Sequence, residues 1–205
     1  MEITAKMVKD LREATGAGPL DCKKALEATG GDVQKAVDFL REKGLAKAAK
    51  KLGAGRTMNE GVVQTYAHHT KRLGVMVEVN CETDFVANTE AFQEFARNVA
   101  LQVANLAPKY LRREDVPEAE VQAEREALRR RAIEEGRKEN VIEKIIDGRM
   151  DKYFEEICLL EQKFIKDDEK TIEQMLSSAV AELGESIQIS RFARFAIGES
   201  TADES

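Results

Sequence analysis

Residues 80–87 place an acidic side chain, Asp84, directly before an aromatic one, Phe85, at the end of an alternating apolar segment. A corner where a strand is followed by a helix tends to expose its residues, and burying a Phe side chain contributes roughly 1.5–3 kcal/mol. Phe85 is therefore a candidate for insertion into a partner protein. The alternative is that Phe85 packs into the core of its own chain, as most aromatic side chains beside strands do.

Patterns typical of enzymes are missing from the rest of the sequence. It contains neither a GxxxxGKS/T loop nor a GxGxxG loop, the two common phosphate-binding patterns. The histidines His68 and His69 are adjacent, which predicts a polar turn rather than a metal site, and Cys22, Cys81 and Cys158 form no CxxC pair. A nucleophilic pair of Cys81 and His68 stays open, but nothing supplies a third, orienting group. We therefore expect a protein that is not an enzyme and has no cofactor or metal of its own.

Charge is unevenly distributed along the 205 residues, whose net charge is −6. Residues 1–56 hold 12 Lys and Arg against 8 Asp and Glu, a net charge of +4 that leaves −10 for the remainder. This asymmetry predicts two modules. A chain that is acidic overall is a poor candidate for wrapping nucleic acid, so we expect no direct nucleic-acid partner.

The compartment follows from the cysteines and the apolar runs. No apolar run approaches the roughly 20 residues that a membrane span needs, and the N-terminus lacks the pattern of a secretory signal. Three unpaired cysteines fit a reducing compartment. We expect a cytoplasmic protein without a membrane partner.

Three short helices are predicted for the N-terminal module. Thr4 can cap the first helix, Pro19 suits the first turn of the second, Asp32 can cap the third, and Gly44 would close it. The apolar residues that recur at helical spacing are Cys22, Ala25 and Leu26 in the second helix and Val33, Ala36, Val37 and Leu40 in the third. We expect a three-helix domain over residues 1–45 and a basic linker over 46–57, whose start is compatible with a helix.

The second module begins with a predicted hairpin, with strands at 61–66 and 73–79, and ends with a third strand at 186–197. A long helix capped by Asn88 or Thr89 follows the hairpin, with an apolar face formed by Phe92, Phe95, Ala96, Val99 and Val103. A charged antiparallel helix pair is predicted for about 117–163, with helices over 117–138 and 140–163. Thr171 and Gln174 form a capping box for a last helix.

These elements predict an α+β fold, in which the N-terminal helices are followed by a small antiparallel sheet layered with helices. The α+β core is expected over residues 58–198, and residues 199–205 are expected to form a tail.

Three motifs make the sequence similar to the elongation factor Ts family. The first lies at residues 11–26, the second at 78–87 and the third at 183–191, in the order that the family has them. The resemblance spans most of the chain except roughly 107–170. The sequence has a single copy of the second motif and so resembles the short form of the family.

The resemblance implies a guanine nucleotide exchange factor for elongation factor Tu, the GTPase that carries aminoacyl-tRNA to the ribosome. GDP, GTP and Mg²⁺ would be bound by that partner. The N-terminal module would be a ubiquitin-associated-like bundle that grips the GTPase. The implied partner-binding residues there are Arg12, Gly16, Pro19, Leu20 and Lys23. The second motif would be the exchange corner, formed by Thr83, Asp84, Phe85 and Val86, which intrudes beside the nucleotide site and disturbs Mg²⁺ and phosphate binding.

The resemblance to the short form also implies a homodimer.

The sequence leaves two other classes of function open. One is a module that binds a helical partner without exchange activity. The other is RNA binding, against which the acidic core argues because RNA binding would require a basic face.

Overall fold

The computed structural model describes residues 3–15, 17–52 and 58–199. Its helices are α1 Ala5–Thr15, α2 Pro19–Ala28, α3 Val33–Leu52, α4 Asp84–Ala87, α5 Glu90–Leu106, α6 Glu118–Glu134, α7 Glu139–Ile157 and α8 Ile172–Leu183. Its strands are β1 Glu60–Ala67, β2 Leu73–Cys81, β3 Lys163–Phe164, β4 Asp167–Thr171 and β5 Ile187–Ala196. This is the mixed α+β fold that the sequence predicted.

The N-terminal helices begin where their capping residues predicted. The backbone N–H of Met7 donates to Thr4 Oγ1 at 3.3 Å, and that of Lys35 donates to Asp32 Oδ1 at 3.1 Å. Pro19 is the first residue of α2, where its missing N–H costs nothing. The three helices enclose a common core, whose fully buried residues are Leu11, Cys22, Ala25, Leu26 and Ala36.

Two expectations for α3 were wrong. Gly44 does not close the helix, which continues to Leu52 and so takes in the start of the expected linker, while residues 53–57 lie outside the described residues. The residues after Gly44 are mainly Ala, Lys and Leu, strong helix formers that outweigh one glycine. A Cβ at Gly44 would stand 3.3 Å from the Cβ of Ala181 on α8, so the glycine serves a close approach of two helices. Val33 was expected to face inward but is exposed.

The main sheet has the strand order β1-β2-β5. The hairpin of β1 and β2 and the addition of β5 to it confirm the three-strand prediction. After β2 the chain forms the single turn of α4, which periodicity did not predict, and then α5. Thr89 caps α5, since its Oγ1 accepts from the backbone N–H of Phe92 at 3.3 Å. The predicted apolar face of α5 is buried, with Phe92, Phe95, Ala96, Val99 and Val103.

Helices α6 and α7 form the predicted antiparallel pair. Arg125 Nη2 meets Asp147 Oδ1 at 2.9 Å, and Arg129 pairs with Glu143, so residues late in one helix face residues early in the other. Between the helices lies an apolar cluster of Leu128, Ala132, Ile142, Ile146 and Met150.

The predicted extension of the second helix to residue 163 was wrong. Helix α7 ends at Ile157, whose carbonyl accepts from the backbone N–H groups of Lys109 and Tyr110 at 2.9 and 3.0 Å. The backbone N–H of Leu159 then donates to the carbonyl of Tyr110 at 2.9 Å. A short antiparallel pair of β3 and β4 follows, which the sequence analysis missed. Hydrogen bonds to a distant segment thus end the helix, although its apolar spacing continues.

Helix α8 has the predicted capping box. The backbone N–H of Gln174 donates to Thr171 Oγ1 at 3.2 Å, and that of Thr171 donates to Gln174 Oε1 at 3.1 Å. Gly184, with φ +73°, ends the helix in a conformation that favours glycine.

The chain divides into two compact units. The first comprises residues 1–62, 80–95 and 176–188, and the second comprises 63–79, 96–175 and 189–205. The corner at residues 82–87 and the N-terminal helices both belong to the first unit. Among the described helices, none is long and apolar enough to cross a membrane.

Candidate partner-binding site

Helix α4 exposes Asp84 and Phe85. Thr83 precedes it with an extended backbone, and its Oγ1 accepts from the backbone N–H of Val86 at 3.4 Å, which is the geometry of an N-cap. Ala87 on the inner side is buried and Val86 is half-buried, whereas the side chain of Phe85 is 82 % exposed. The alternative that Phe85 packs into its own core is therefore wrong. A large aromatic side chain held in water by a defined turn is available to a partner.

Cys81 anchors the start of this corner. Its side chain is fully buried at the end of β2, and its Sγ donates to the carbonyl of Thr83 at 3.1 Å. Burial raises the pKa of the Cys81 thiol, and the nearby carboxylate of Glu185 raises it further. A raised pKa keeps the thiol protonated and a poor nucleophile. His68 hydrogen-bonds elsewhere, through its Nδ1 to the hydroxyl of Tyr66 at 2.9 Å.

Two carboxylates join this corner to the one between α8 and β5. Glu185 accepts two hydrogen bonds from Thr83, at Oε2 from the backbone N–H at 3.1 Å and at Oε1 from the hydroxyl at 2.7 Å. Glu82 Oε1 accepts two from Ser186, from its backbone N–H at 2.8 Å and its hydroxyl at 2.7 Å. Each corner thus supplies a carboxylate to the backbone of the other. Such charge-assisted bonds are stronger than neutral ones.

Sequence reasoning did not assign a role to Glu82, Glu185 or Ser186. Glu185 and Ser186 lie in the third motif, which was noted only as a similarity. Their partners are 102 and 104 residues away in the chain. No local pattern of periodicity or capping reports a contact over such a separation.

The N-terminal residues implied in partner binding are on the surface where the structure describes them. Arg12 lies in the last turn of α1 and is exposed, as are Pro19 and Lys23 on α2. Leu20 is 65 % exposed, which is unusual for so apolar a side chain. Gly16 lies outside the described residues.

The surface around Leu20 is both apolar and charged. Lys23 pairs with Glu27 one turn along α2 at 3.8 Å, a contact between exposed groups that contributes little to stability. The lysine therefore loses little by exchanging this partner for another. Within the described ranges, no group of three or more His, Cys, Asp or Glu side chains could hold a metal ion.

Comparison with known proteins gives a consistent result over almost the whole chain. The family model described as Elongation factor TS matches residues 4–199. The Elongation factor Ts of Carboxydothermus hydrogenoformans is 54% identical over 200 residues, covering 98% of this chain and 91% of the relative. That of Syntrophomonas wolfei is 55% identical over 203 residues, covering 99% and 94%. That of Thermoanaerobacter sp. is 55% identical over 197 residues, covering 96% of each.

Proposed function

The chain belongs to the elongation factor Ts family, and we propose that it is the guanine nucleotide exchange factor for elongation factor Tu in translation elongation. The observation that carries the exchange role is the exposure of Phe85 on a one-turn helix fixed by Thr83. A wedge needs an apolar side chain that its own core does not use, and this corner offers one.

The proposed mechanism acts on the metal and phosphate site of the GTPase. A GTPase of this class holds its nucleotide through P-loop amides, a lysine and a Mg²⁺ ion that bridges the phosphates. Phe85 inserts between helices of the GTPase, and Asp84 perturbs the polar network around the Mg²⁺. Both effects weaken the ligands of the phosphates without competing for the base.

The factor and the nucleotide weaken each other's binding to the GTPase. A factor that weakens GDP binding is itself weakened by GDP, by the same free energy. GTP therefore enters the emptied site and displaces the factor. No covalent step occurs on this chain, so the protein acts by binding and is not an enzyme in the usual sense.

The N-terminal module supplies the grip in this proposal. Arg12, Pro19, Leu20 and Lys23 offer an apolar centre with charged neighbours, a composition typical of partner surfaces. Gly16 belongs to the same motif. Residues 1–45 would form this partner-binding domain, and the exchange corner would belong to a core over residues 58–198.

The proposal also covers the cellular compartment and the oligomeric state. A factor that serves the GTPase of translation works where ribosomes are, so we place it in the cytoplasm. We also propose a homodimer, as in the short form of the family.

The test is the release of a fluorescent GDP analogue from elongation factor Tu, with and without this protein. The wild type accelerates release, and Phe85→Ala loses most of that acceleration while remaining folded. Ile133→Ala is the matched control, because Ile133 is also a large exposed apolar residue but lies at the end of α6.

Each result separates the candidate functions. Failure of the wild type to accelerate release, with binding to the GTPase retained, would favour the non-exchanging binding module. Full activity of Phe85→Ala would keep the exchange function and remove Phe85 from it.

A further inference from the structure

We propose that Glu185 is a positioning residue of the exchange corner, holding Thr83 so that α4 presents Asp84 and Phe85 in the orientation that the partner meets. This inference rests on the proposed function and concerns the third motif, which the wedge mechanism leaves without a role. Glu185 does not reach the partner in this proposal. It acts through Thr83 alone.

Helix α4 cannot hold its own shape. It is only four residues long, and helices this short are unstable in water without support. Its backbone bonds include those from the N–H of Ala87 to the carbonyl of Thr83 at 3.2 Å and from Asn88 to Asp84 at 3.1 Å. The orientation of Phe85 thus depends on what fixes Thr83.

Glu185 holds the hydroxyl of Thr83 in the geometry of an N-cap. Its hydroxyl donates to Glu185 Oε1 at 2.7 Å, so its oxygen lone pairs are left to accept from the N–H of Val86. A threonine hydroxyl has one proton to donate, and the strong bond to a carboxylate decides where that proton points. Glu185 therefore sets the rotamer that makes Thr83 an N-cap.

Both carboxylate oxygens of Glu185 accept hydrogen bonds from Thr83. Oε2 accepts from the backbone N–H of Thr83 at 3.1 Å while Oε1 accepts from the hydroxyl. A glutamine at this position would place an NH2 group, itself a donor, where one of these two acceptor oxygens now lies, so it reproduces the pair of bonds less well. The reciprocal contact of Glu82 with Ser186 holds Glu185 itself, because it fixes the next residue of the chain.

An exchange corner that is ordered before it meets the partner lowers the entropic cost of binding. A corner that is already ordered pays less to insert a side chain than one that must order on contact. Loss of Glu185 should therefore lower the maximal rate of GDP release more than it weakens the complex, since the N-terminal module still supplies its contacts.

The kinetic test compares GDP release from elongation factor Tu at rising concentrations of the wild type, Glu185→Ala, Glu185→Gln and Glu182→Gln. Glu182 is an exposed glutamate on the last turn of α8, so its variant controls for the loss of charge. We expect the maximal rate to fall on the order of tenfold in Glu185→Ala, since positioning effects reach this size. Glu185→Gln should be intermediate and Glu182→Gln should match the wild type.

Rescue and coupling distinguish positioning from a merely structural role. Thr83→Ser keeps the hydroxyl and should retain most of the rate, whereas Thr83→Val keeps the shape and should lose it. The losses in Thr83→Val and Glu185→Ala should add less than fully in the double variant, because both remove the bond between the Thr83 hydroxyl and Glu185. Additive losses, or a maximal rate in Glu185→Ala and Glu185→Gln equal to the wild type, would overturn the proposal.

A measurement without the partner keeps this inference separate from the proposed function. Amide hydrogen exchange over residues 84–88 should be faster in Glu185→Ala than in the wild type, with the protection of α5 unchanged. If the wild type fails to accelerate GDP release from elongation factor Tu, the proposed function is wrong. The hydrogen-exchange measurement then still tests the positioning role of Glu185. Unchanged hydrogen exchange at these amides in Glu185→Ala would overturn the positioning role of Glu185, even where GDP release is normal. If Glu185→Ala does not fold, Glu185→Gln carries both tests.

Discussion

Two phenylalanines seven positions apart have opposite environments. Phe85 is 82 % exposed on α4, and Phe92 is fully buried on α5. Both lie in the stretch after β2, and each follows an acidic residue by one or two positions, Asp84 before Phe85 and Glu90 before Phe92. What separates them is the direction of the chain after Thr83, which turns one ring toward water and the next toward the core.

This contrast predicts the stability of two matched variants. Phe92→Ala should lower the free energy of unfolding by about 3–5 kcal/mol, because it leaves a cavity in the core. Phe85→Ala should change it by no more than about 0.5 kcal/mol, as most exposed substitutions do. Urea denaturation followed by circular dichroism measures both. A large loss in Phe85→Ala would mean that its ring packs against the chain.

Glu120 is held by two tyrosine hydroxyls, those of Tyr110 and Tyr153, each donating at 2.6 Å. These bonds lower the pKa of Glu120 and raise the pKa of Tyr110 to about 12. A lowered folded-state carboxyl pKa contributes stability that is fully present above the unfolded value of about 4.3 and is lost as the pH falls. The raised tyrosine pKa contributes stability that is present below about 10 and lost as the pH rises toward the folded value.

Glu120→Gln should therefore be less stable than the wild type near neutral pH, by about 1 kcal/mol, since the carboxylate is partly exposed. The difference should shrink as the pH falls below about 4. The free energy of unfolding as a function of pH measures it. Glu134→Gln, which removes the charge of an exposed glutamate on the same helix, is the control.

At the scale of elements, the helices differ in how they are stabilised. Helix α8 has a complete capping box, and α5 has the apolar face that its periodicity predicts. Helix α4 has one turn and depends on contacts from outside. Local rules thus describe α8 and α5 well and describe α4 only in part.

The capping box of α8 predicts a measurable coupling. Thr171→Ala should cost about 1 kcal/mol, because the N–H of Gln174 loses its acceptor. Gln174→Ala should cost less, and the two losses should not add, because each bond helps to hold the other in place. Thermal unfolding of the two single variants and the double variant measures the coupling. Strict additivity would contradict it.

The pair of α6 and α7 is held mainly by its apolar cluster rather than by its ion pairs. Ile146→Ala should cost about 2–5 kcal/mol because Ile146 is almost fully buried in that cluster. Arg129→Ala should cost at most about 1 kcal/mol, because its ion pair with Glu143 is exposed. Urea denaturation of the two variants ranks them. A larger loss for Arg129→Ala would contradict this order.

At the scale of the whole molecule, exposed apolar residues recur in the second unit. Those on the strands of the main sheet or directly after β5 are Val63, Met76, Phe195 and Ile197, each at least half exposed. Charged neighbours such as Glu78 and Arg191, which form an ion pair at 2.6 Å, lie among them. Apolar residues rimmed by polar ones are typical of association surfaces.

We expect these residues to form the contact between two copies in the proposed homodimer. Sedimentation velocity should give a dimer for the wild type, and Phe195→Asp should shift it to the monomer. Ile133→Asp is the control, since it adds the same charge at another exposed apolar position. A monomeric wild type would contradict the homodimer, and a dimeric Phe195→Asp would place the contact elsewhere.

The sequence by itself determined the elements whose signals are local. Capping residues and helical periodicity predicted α1, α2, α5 and α8, because a helix bonds residues only four positions apart. Alternation predicted the hairpin, and the three motifs indicated the family. The exposed corner was also found as a candidate, since an acidic and an aromatic residue follow a strand there.

Only the tertiary structure decided where long-range contacts compete with local ones. Helix α7 ends at Ile157 because its carbonyl bonds to residues 109 and 110, although the apolar spacing continues. The bonds of Glu185 to Thr83 join residues 102 positions apart. Such contacts arise when distant segments pack, and their energy has no counterpart in the pattern of neighbouring residues.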